Sequence, residues 1–523
     1  MNRINLTNNK GYKWFVKKLN NREVYAKGFL IDADKIYCES NMVEYISNFD
    51  IEELPEKLKR IDGQFAIVIR ELETIFAAVD HMRSFPLFYK KTDESYCLFD
   101  AVQKEDWANN SVDSQQERIF LNTTYTLETN TFFKDYFQVA SGRYALINSQ
   151  GAEIKKYWDF SYAKDQITDM KSAVELIRNG YEHAFKLCKE LVGNKKIVIP
   201  LSGGYDSRLV LNGLLKAGVS RDKIITFTCG IEEYEDSNIS KIVADAIGVK
   251  NYYINYNTPQ ARKYFKKDFK KYALHSSVLS STPHLQEWYA ISELVRKNLI
   301  DEECVFMPGY GGVLPGHYIK QEFFTDDKDN IENIIRKALR PFGSCKARPT
   351  EKDIKDTVDE ILNTSYFASL NAESSSKDYV ECYERFIYME EQSKYIQNST
   401  RNYDYVGCQC ITVFFLKEQF DLWSKIDNSL RLNNSAFMEC MDEYLLPELK
   451  SIPFTGSKVA KKMSQKQNRV QKLMDFMFNR TKMHYMFGMF PLTTYYRCFF
   501  QQFYIKLDYL SGWEMLRVLK NKR

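Results

Sequence analysis

The sequence contains no run of about 18 apolar residues, the length a membrane-spanning helix requires. Its first residues, Met1 to Asn9, are polar and lack the apolar core of a secretion signal. A disulfide rhythm is also missing. The 11 cysteines are scattered, and the one tight pair, Cys408 and Cys410, has no second pair of matching spacing to complete a zinc site. These absences predict reduced, mostly buried thiols in a cytoplasmic protein. Repeats and low-complexity tracts are absent as well. What remains is a chain of 523 residues that is 44% hydrophobic and 15% aromatic, enough to fill the cores of two or three domains. The net charge of +4 is unevenly spread: Gly456 to Arg523 holds 14 Lys and Arg against 3 Asp and Glu, leaving −7 on the rest. A basic tail of this kind is either a solvated helical end or a surface for a nucleic acid, an anionic membrane or an acidic partner.

Periodicity divides the chain. From Gly11 to Tyr162 short apolar stretches recur at Val24–Ile31, Phe65–Ile69, Thr74–Val79, Pro86–Tyr89 and Arg143–Leu146. Turn pairs such as Asp62-Gly63 and Ser141-Gly142 separate them, which predicts a strand-rich domain. Beyond Trp158 the period becomes helical. Met170 to Val192 places Ala173, Val174, Ile177, Tyr181, Ala184, Phe185 and Cys188 on one face. Strand candidates at Lys196–Leu201, Ile224–Cys229 and Tyr252–Tyr256 then alternate with helix candidates at Leu209–Ala217 and Ser237–Ile247. That alternation predicts a parallel sheet covered by helices. From Ile331 onward the pattern is mostly helical, with amphipathic helices expected at Tyr379–Gln397 and Phe414–Ile426, and Gly456 to Met474 is polar and basic.

The most informative string is Leu201-Ser202-Gly203-Gly204-Tyr205-Asp206-Ser207-Arg208, between a strand and a helix. Adjacent glycines let a backbone approach an anion closely. Ser202 and Ser207 add hydroxyl donors, and the helix that follows aims its N-terminal amides and positive dipole end at a phosphate. Asp206 would repel phosphate unless a cation stood between them, so it reads as a magnesium ligand. Arg208 is expected to add positive charge near a pyrophosphate. A second glycine-rich loop follows another strand candidate, Val305-Phe306-Met307-Pro308-Gly309-Tyr310-Gly311-Gly312-Val313.

The first string resembles the pyrophosphate loop of the asparagine synthetase family, whose members cleave ATP between the α- and β-phosphates. Thr226-Phe227-Thr228-Cys229-Gly230 with Glu235-Asp236-Ser237 resembles that family's second strand and helix. The resemblance implies that Leu201, Phe227 and Thr228 flank the nucleotide, and that Gly309 and Gly311 belong to a second nucleotide loop. Two departures stand out. Tyr310 occupies the position of a catalytic glutamate, as in the related β-lactam synthetases, where a tyrosine and a glutamate handle the proton. It is either such a phenol, with Glu390 or Glu391 as its expected carboxylate, or a packed aromatic. Val313 stands where the family has an acid that helps hold magnesium. In Phe414-Phe415-Leu416-Lys417 the lysine replaces a family aspartate, and Lys458 lies nearest the family's pyrophosphate-contacting lysine.

Leu58 to Val68 and Ala77 to Tyr89 resemble the glutaminase domain of the same family. That domain acts through an N-terminal cysteine, but here Asn2 follows Met1 and the first cysteine is Cys38. No glutaminase activity is therefore expected, and His81 is expected to be a packed histidine.

The fold expected is α/β plus α+β. An Ntn-hydrolase-like β-rich sandwich spans 1–162, a parallel-sheet ATP pyrophosphatase domain of the adenine nucleotide α-hydrolase type with a helical C-terminal part spans 163–455, and a basic, aromatic extension spans 456–523. The function implied is an AMP-forming amide ligase that uses ATP and Mg2+ to join a small carboxylate to ammonia or an amine. A nucleotide-binding descendant without catalysis is the alternative. A homodimer is compatible with this reading, and nucleic acid is not an expected partner.

Overall fold

A computed structural model of the chain describes residues 2–8, 11–92, 95–102, 110–230, 235–256, 258–276, 278–281, 286–324, 330–342 and 350–455. The tail expectation for Gly456–Met474, and Lys458 with it, lies outside the described residues.

The N-terminal part is built from two sheets. Strands β1 (Arg3–Asn5), β2 (Phe15–Leu19), β3 (Arg22–Asp32), β4 (Lys35–Cys38), β5 (Asp62–Glu71), β6 (Thr74–Val79), β7 (Phe88–Lys91), β8 (Tyr96–Phe99), β9 (Tyr136–Gln138), β10 (Arg143–Ile147) and β11 (Ala152–Lys156) supply them. The larger sheet runs β11-β10-β6-β5-β3-β2, with β4 paired to β3, and the smaller runs β1-β8-β7-β9. The longest ladder joins β3 and β5, antiparallel, from Arg22 opposite Glu71 to Ile31 opposite Asp62. In β5, Phe65, Ile67 and Ile69 pack under the helical segments Glu39–Ile46 and Leu54–Leu58, while Ala66 and Val68 face the second sheet. A strand covered on both faces reads as an unbroken apolar run, which is why Phe65–Ile69 stands out in the sequence.

The second half is organised by a five-stranded sheet of β12 (Ile197–Pro200), β13 (Ile224–Gly230), β14 (Lys250–Asn255), β15 (Val305–Phe306) and β16 (Gln409–Cys410). Its order is β14-β13-β12-β15-β16 and every pairing is parallel. Ile197 and Ile199 face one layer and Val198 the other. The covering helices include α1 (Met170–Val192), α2 (Tyr205–Lys216), α3 (Glu235–Ile247), α4 (Pro259–Ser276) and α5 (Trp288–Arg296). Further on lie α6 (Ser376–Phe386) and α7 (Lys417–Ser424). The single helix expected over Tyr379–Gln397 is a composite, because α6 passes into π-helical turns at Ile387–Ile396.

The two halves are joined by buried polar contacts. Asp62, the first residue of β5, accepts the backbone N–H groups of Lys417 (2.6 Å) and Glu418 (2.9 Å). α7 has no cap of its own, since its N-cap residue is Leu416, so the other half of the molecule caps it. Lys394, fully buried, donates to the carbonyls of Thr126 (2.8 Å) and Glu128 (2.9 Å) and pairs with Glu390 at 2.6 Å. No helix among the described residues is long and apolar enough to cross a membrane.

Candidate functional site

In an open parallel sheet, ligands bind beyond the carboxyl ends of the strands where the chain order reverses direction. Here that point lies between β12 and β15, the neighbours from which the strand order runs outward to β14 on one side and β16 on the other. Both glycine-rich loops leave the sheet there. The first turns through Ser202–Gly204 into α2. Ser207 Oγ receives the Ser202 N–H at 3.0 Å and lies 3.0 Å from Ser202 Oγ, which in turn accepts the Gly204 N–H at 3.2 Å. The hydroxyls thus brace the turn. The N-cap of α2 is Gly204, which offers no side chain, so the first-turn amides have no side-chain cap. That leaves a helix N-terminus open to an anion.

The second loop closes against the first. A Cβ placed on Gly309 would lie 2.8 Å from Asp206 Cβ and from the Ser207 nitrogen, and one on Gly312 would lie 2.1 Å from Asp206 Cγ. Only glycine permits this approach at either position. Gly311 sits at φ +95°, backed by Phe414 and Phe415. The Asp206 carboxyl is enclosed by this loop together with Tyr181, Leu209, Trp423 and Phe437, and burial pushes its pKa up to about 6. No hydrogen bond or ion pair to it occurs among the described residues. A desolvated carboxylate without a counter-charge is costly, and a cation would relieve it.

Tyr310, between Gly309 and Gly311, is drawn into a buried acid-phenol cluster. Its hydroxyl lies 3.4 Å from that of Tyr403, which donates to Glu287 Oε2 at 2.6 Å, and Tyr310 also hydrogen-bonds Glu287. Glu287 is the N-cap residue of α5 and is buried, and its desolvation pushes its pKa up to about 7 despite both phenol hydrogen bonds. The carboxylate that meets Tyr310 is therefore Glu287, not Glu390 or Glu391. Glu390 is occupied by Lys394, by the Tyr366 hydroxyl at 2.7 Å and by the Glu128 N–H at 3.0 Å. Glu391 accepts from the Tyr318 hydroxyl at 2.8 Å. Both are taken up by structural pairs on the π-helical segment. Nothing local in the sequence marks Glu287. It precedes an ordinary apolar helical face, and only the tertiary path brings it to Tyr310.

Other expected residues fall elsewhere. Arg208 does not face the open helix end. Its guanidinium is fully buried and donates to the carbonyls of Ile452 (2.7 Å) and Pro453 (3.1 Å), with Phe454 stacked 3.9 Å from it. It pins the 449–455 segment onto α2, and Thr455 in turn donates to the Gly203 carbonyl at 3.0 Å. The guanidinium also reaches the Gly203 carbonyl at 3.4 Å, so Arg208 braces the loop from the buried side. Leu201 and Phe227 are core side chains; Phe227 lies edge-on to Phe306, with centroids 6.2 Å apart. Thr228 is buried, and its hydroxyl donates to the Leu201 carbonyl at 2.7 Å. Val313 is an apolar residue packed on the core, and no cluster of three or more His, Cys, Asp or Glu able to hold a metal occurs among the described residues. His81 is a packed histidine, its Nε2–H donating to the Phe415 carbonyl at 2.7 Å. None of the nine cysteines described forms a disulfide, and Cys38 alone is exposed.

A family model for a glutamine amidotransferase domain matches residues 46–158, and one for asparagine synthase matches residues 184–312. This is the domain pair of the asparagine-synthetase-like family. The asparagine synthase match contains both glycine loops and Asp206, and it supports an ATP-dependent amide ligase. No curated protein matches the chain. Of 36 matching solved chains, one described as the allosteric regulatory enzyme of purine biosynthesis is 12% identical. It covers 61% of this chain and 75% of its own, with a TM-score of 0.20. Another, glutamine phosphoribosylpyrophosphate (PRPP) amidotransferase from B. subtilis complexed with ADP and GMP, is 10% identical over 57% of this chain and 58% of its own, with a TM-score of 0.17. At that level of overlap, the fold of the asparagine-synthase-like half rests on its own parallel topology.

Proposed function

We infer that this asparagine-synthetase-like chain adenylates a carboxylate with ATP and passes the acyl group to ammonia or an amine. The observation that supports this most is the meeting of two glycine loops at Asp206, at the reversal point of the sheet and one residue from Tyr310.

The residues present fit a triphosphate: an uncapped helix end, a hydroxyl-braced turn and a glycine cradle that any side chain would fill. Gly203, Gly204, Ser202 and Ser207 would hold phosphate oxygens. Asp206 is the residue that would hold magnesium, which suits a cation that keeps few protein ligands. When bound, it offsets the charge that develops on the departing pyrophosphate. In the first step a substrate carboxylate oxygen bonds to the α-phosphorus, and the bond from that phosphorus to the bridging oxygen breaks, releasing pyrophosphate. In the second, the nitrogen nucleophile bonds to the acyl carbon and AMP leaves with its oxygen. The nitrogen's surplus proton passes to the Tyr310 oxygen as the Tyr310 proton passes to Glu287, which must be ionised to receive it. Lys458 would add positive charge at the pyrophosphate; Thr455, three residues before it, is bonded to the loop.

The test is pyrophosphate release from ATP and magnesium with a panel of carboxylates. Wild-type protein should release it with at least one acceptor, and Asp206→Ala should not. Equal release by the two proteins would defeat the proposal. One observation favours a second reading, a nucleotide binder without catalysis: among the described residues no acid cluster replaces the one expected at Val313. Calorimetric ATP binding with no release across the whole panel would establish that alternative.

A further inference from the structure

Helix α4 departs from two rules that helices ordinarily keep. Its first turn carries no acid, although the positive end of a helix favours negative charge. Lys263, Lys267 and Lys271 are all exposed at spacings of four, a like-charge pattern that weakens a helix. Between Arg262 and Lys271 the sequence holds six Lys and Arg against Asp268 alone. Some surface lysines elsewhere rest on acids, as Lys57 does on Asp32, Lys241 on Asp245 and Lys337 on Glu322. Among the described residues none of the three stripe lysines has an ion pair, and Lys271 only overlies the Tyr405 ring at 5.9 Å. An adjoining face of α4 holds the helix in place, with Tyr272 stacked on Trp288 at 4.6 Å and the Tyr264 hydroxyl donating to Ser292 at 2.7 Å. The lysines therefore weaken the helix and return to the fold no more than the Lys271 ring contact, and local inconsistencies of that kind concentrate at functional surfaces.

We propose that the Lys263–Lys267–Lys271 stripe docks an acidic polypeptide segment. Four residues of helix advance about 6 Å, close to the roughly 6.6 Å between alternate residues of an extended strand. A segment with a carboxylate at every second position sets one opposite each lysine, a match in both charge and spacing. Single-stranded nucleic acid is gripped by exposed rings that stack its bases, and the described aromatics of α4, Tyr264 and Tyr272, turn inward. α4 follows β14, whose carboxyl end lies on the same side of the sheet as Ser202–Gly204. The stripe thus starts on the side where the phosphate loop opens, yet it depends on no reaction there.

The test uses the full chain and a fluorescent peptide of alternating Glu and Ser, read by anisotropy at low salt. Beside the wild type stand the triple variants Lys263→Gln/Lys267→Gln/Lys271→Gln and Lys263→Arg/Lys267→Arg/Lys271→Arg. The Gln variant should bind about tenfold more weakly and with a shallower salt dependence, while melting no lower than wild type because the repulsion is gone. The Arg variant should bind like wild type. Unchanged peptide affinity in the Gln variant overturns the proposal, as does tighter binding of single-stranded RNA of equal charge that the Gln variant loses.

Discussion

Glu287→Gln removes one ionisation and leaves the shape of the site nearly intact. Its folded pKa of about 7 compares with 4.5 for an unburied glutamate. The folded protein therefore binds this proton more tightly than the unfolded chain. Stability from this group is fully present below 4.5 and is lost as pH rises through about 7. A gap of that size corresponds to about 3 kcal/mol between the ends of the window. Asp206 and Glu418, raised by burial to about 6 and about 7, tilt the total in the same direction. The informative quantity is therefore the difference between wild type and variant. Urea unfolding from pH 5 to 8.5 should show wild type losing stability faster than Glu287→Gln by about 3 kcal/mol across that range. Turnover should move the opposite way. Wild-type activity should rise with pH through about 7, because only ionised Glu287 accepts the Tyr310 proton, and the variant should lose roughly 100- to 10 000-fold and most of that pH dependence. Parallel stability curves for the two proteins would refute the buried-carboxyl argument. A variant that turns over normally would refute the relay while leaving the burial intact.

Gly312→Ala places a methyl 2.1 Å from the Asp206 carboxyl carbon, so ATP affinity measured by calorimetry should fall at least about tenfold, with the circular dichroism spectrum unchanged. Asp62→Ala strips the cap from α7, and the urea midpoint should report a loss of about 1–2 kcal/mol. Glu390→Ala leaves Lys394 buried without its partner. It should cost about 3–5 kcal/mol in urea unfolding, yet leave activity per folded molecule close to wild type.

What could be read in the sequence follows from how local its cause is. β5, α1 and β12 to β14 announce themselves because burial on two faces, or on one helical face, writes a period into neighbouring residues. The Ser202–Ser207 loop is legible for the same reason, since its glycines, hydroxyls and helix start are contiguous. Arg208 is contiguous with that loop, but its guanidinium is spent on the carbonyls of Ile452 and Pro453, which only the tertiary fold brings to it. Glu390 and Glu287 could not be told apart by type. Each is a buried glutamate beside a tyrosine, and the choice depends on which helix the tertiary fold swings past Tyr310. The cap on α7 is similarly invisible, because donor and acceptor lie in different halves of the molecule.

The three departures from the family pattern are not equivalent. At Tyr310 the lost carboxylate is answered by Glu287, which arrives from another helix and meets the phenol directly. At Lys417 the change falls outside the chemistry, for its side chain pairs with Asp421 and its amide docks onto Asp62 across the domain junction. Val313 is the departure with no answer among the described residues. Asp206 is thus the one acid beside both loops, with its pKa already raised to about 6 by burial. A single desolvated carboxylate holds magnesium weakly unless phosphate oxygens complete the shell. On the proposed reading a cation would therefore enter with its nucleotide, and proton handling would fall to Tyr310 and Glu287.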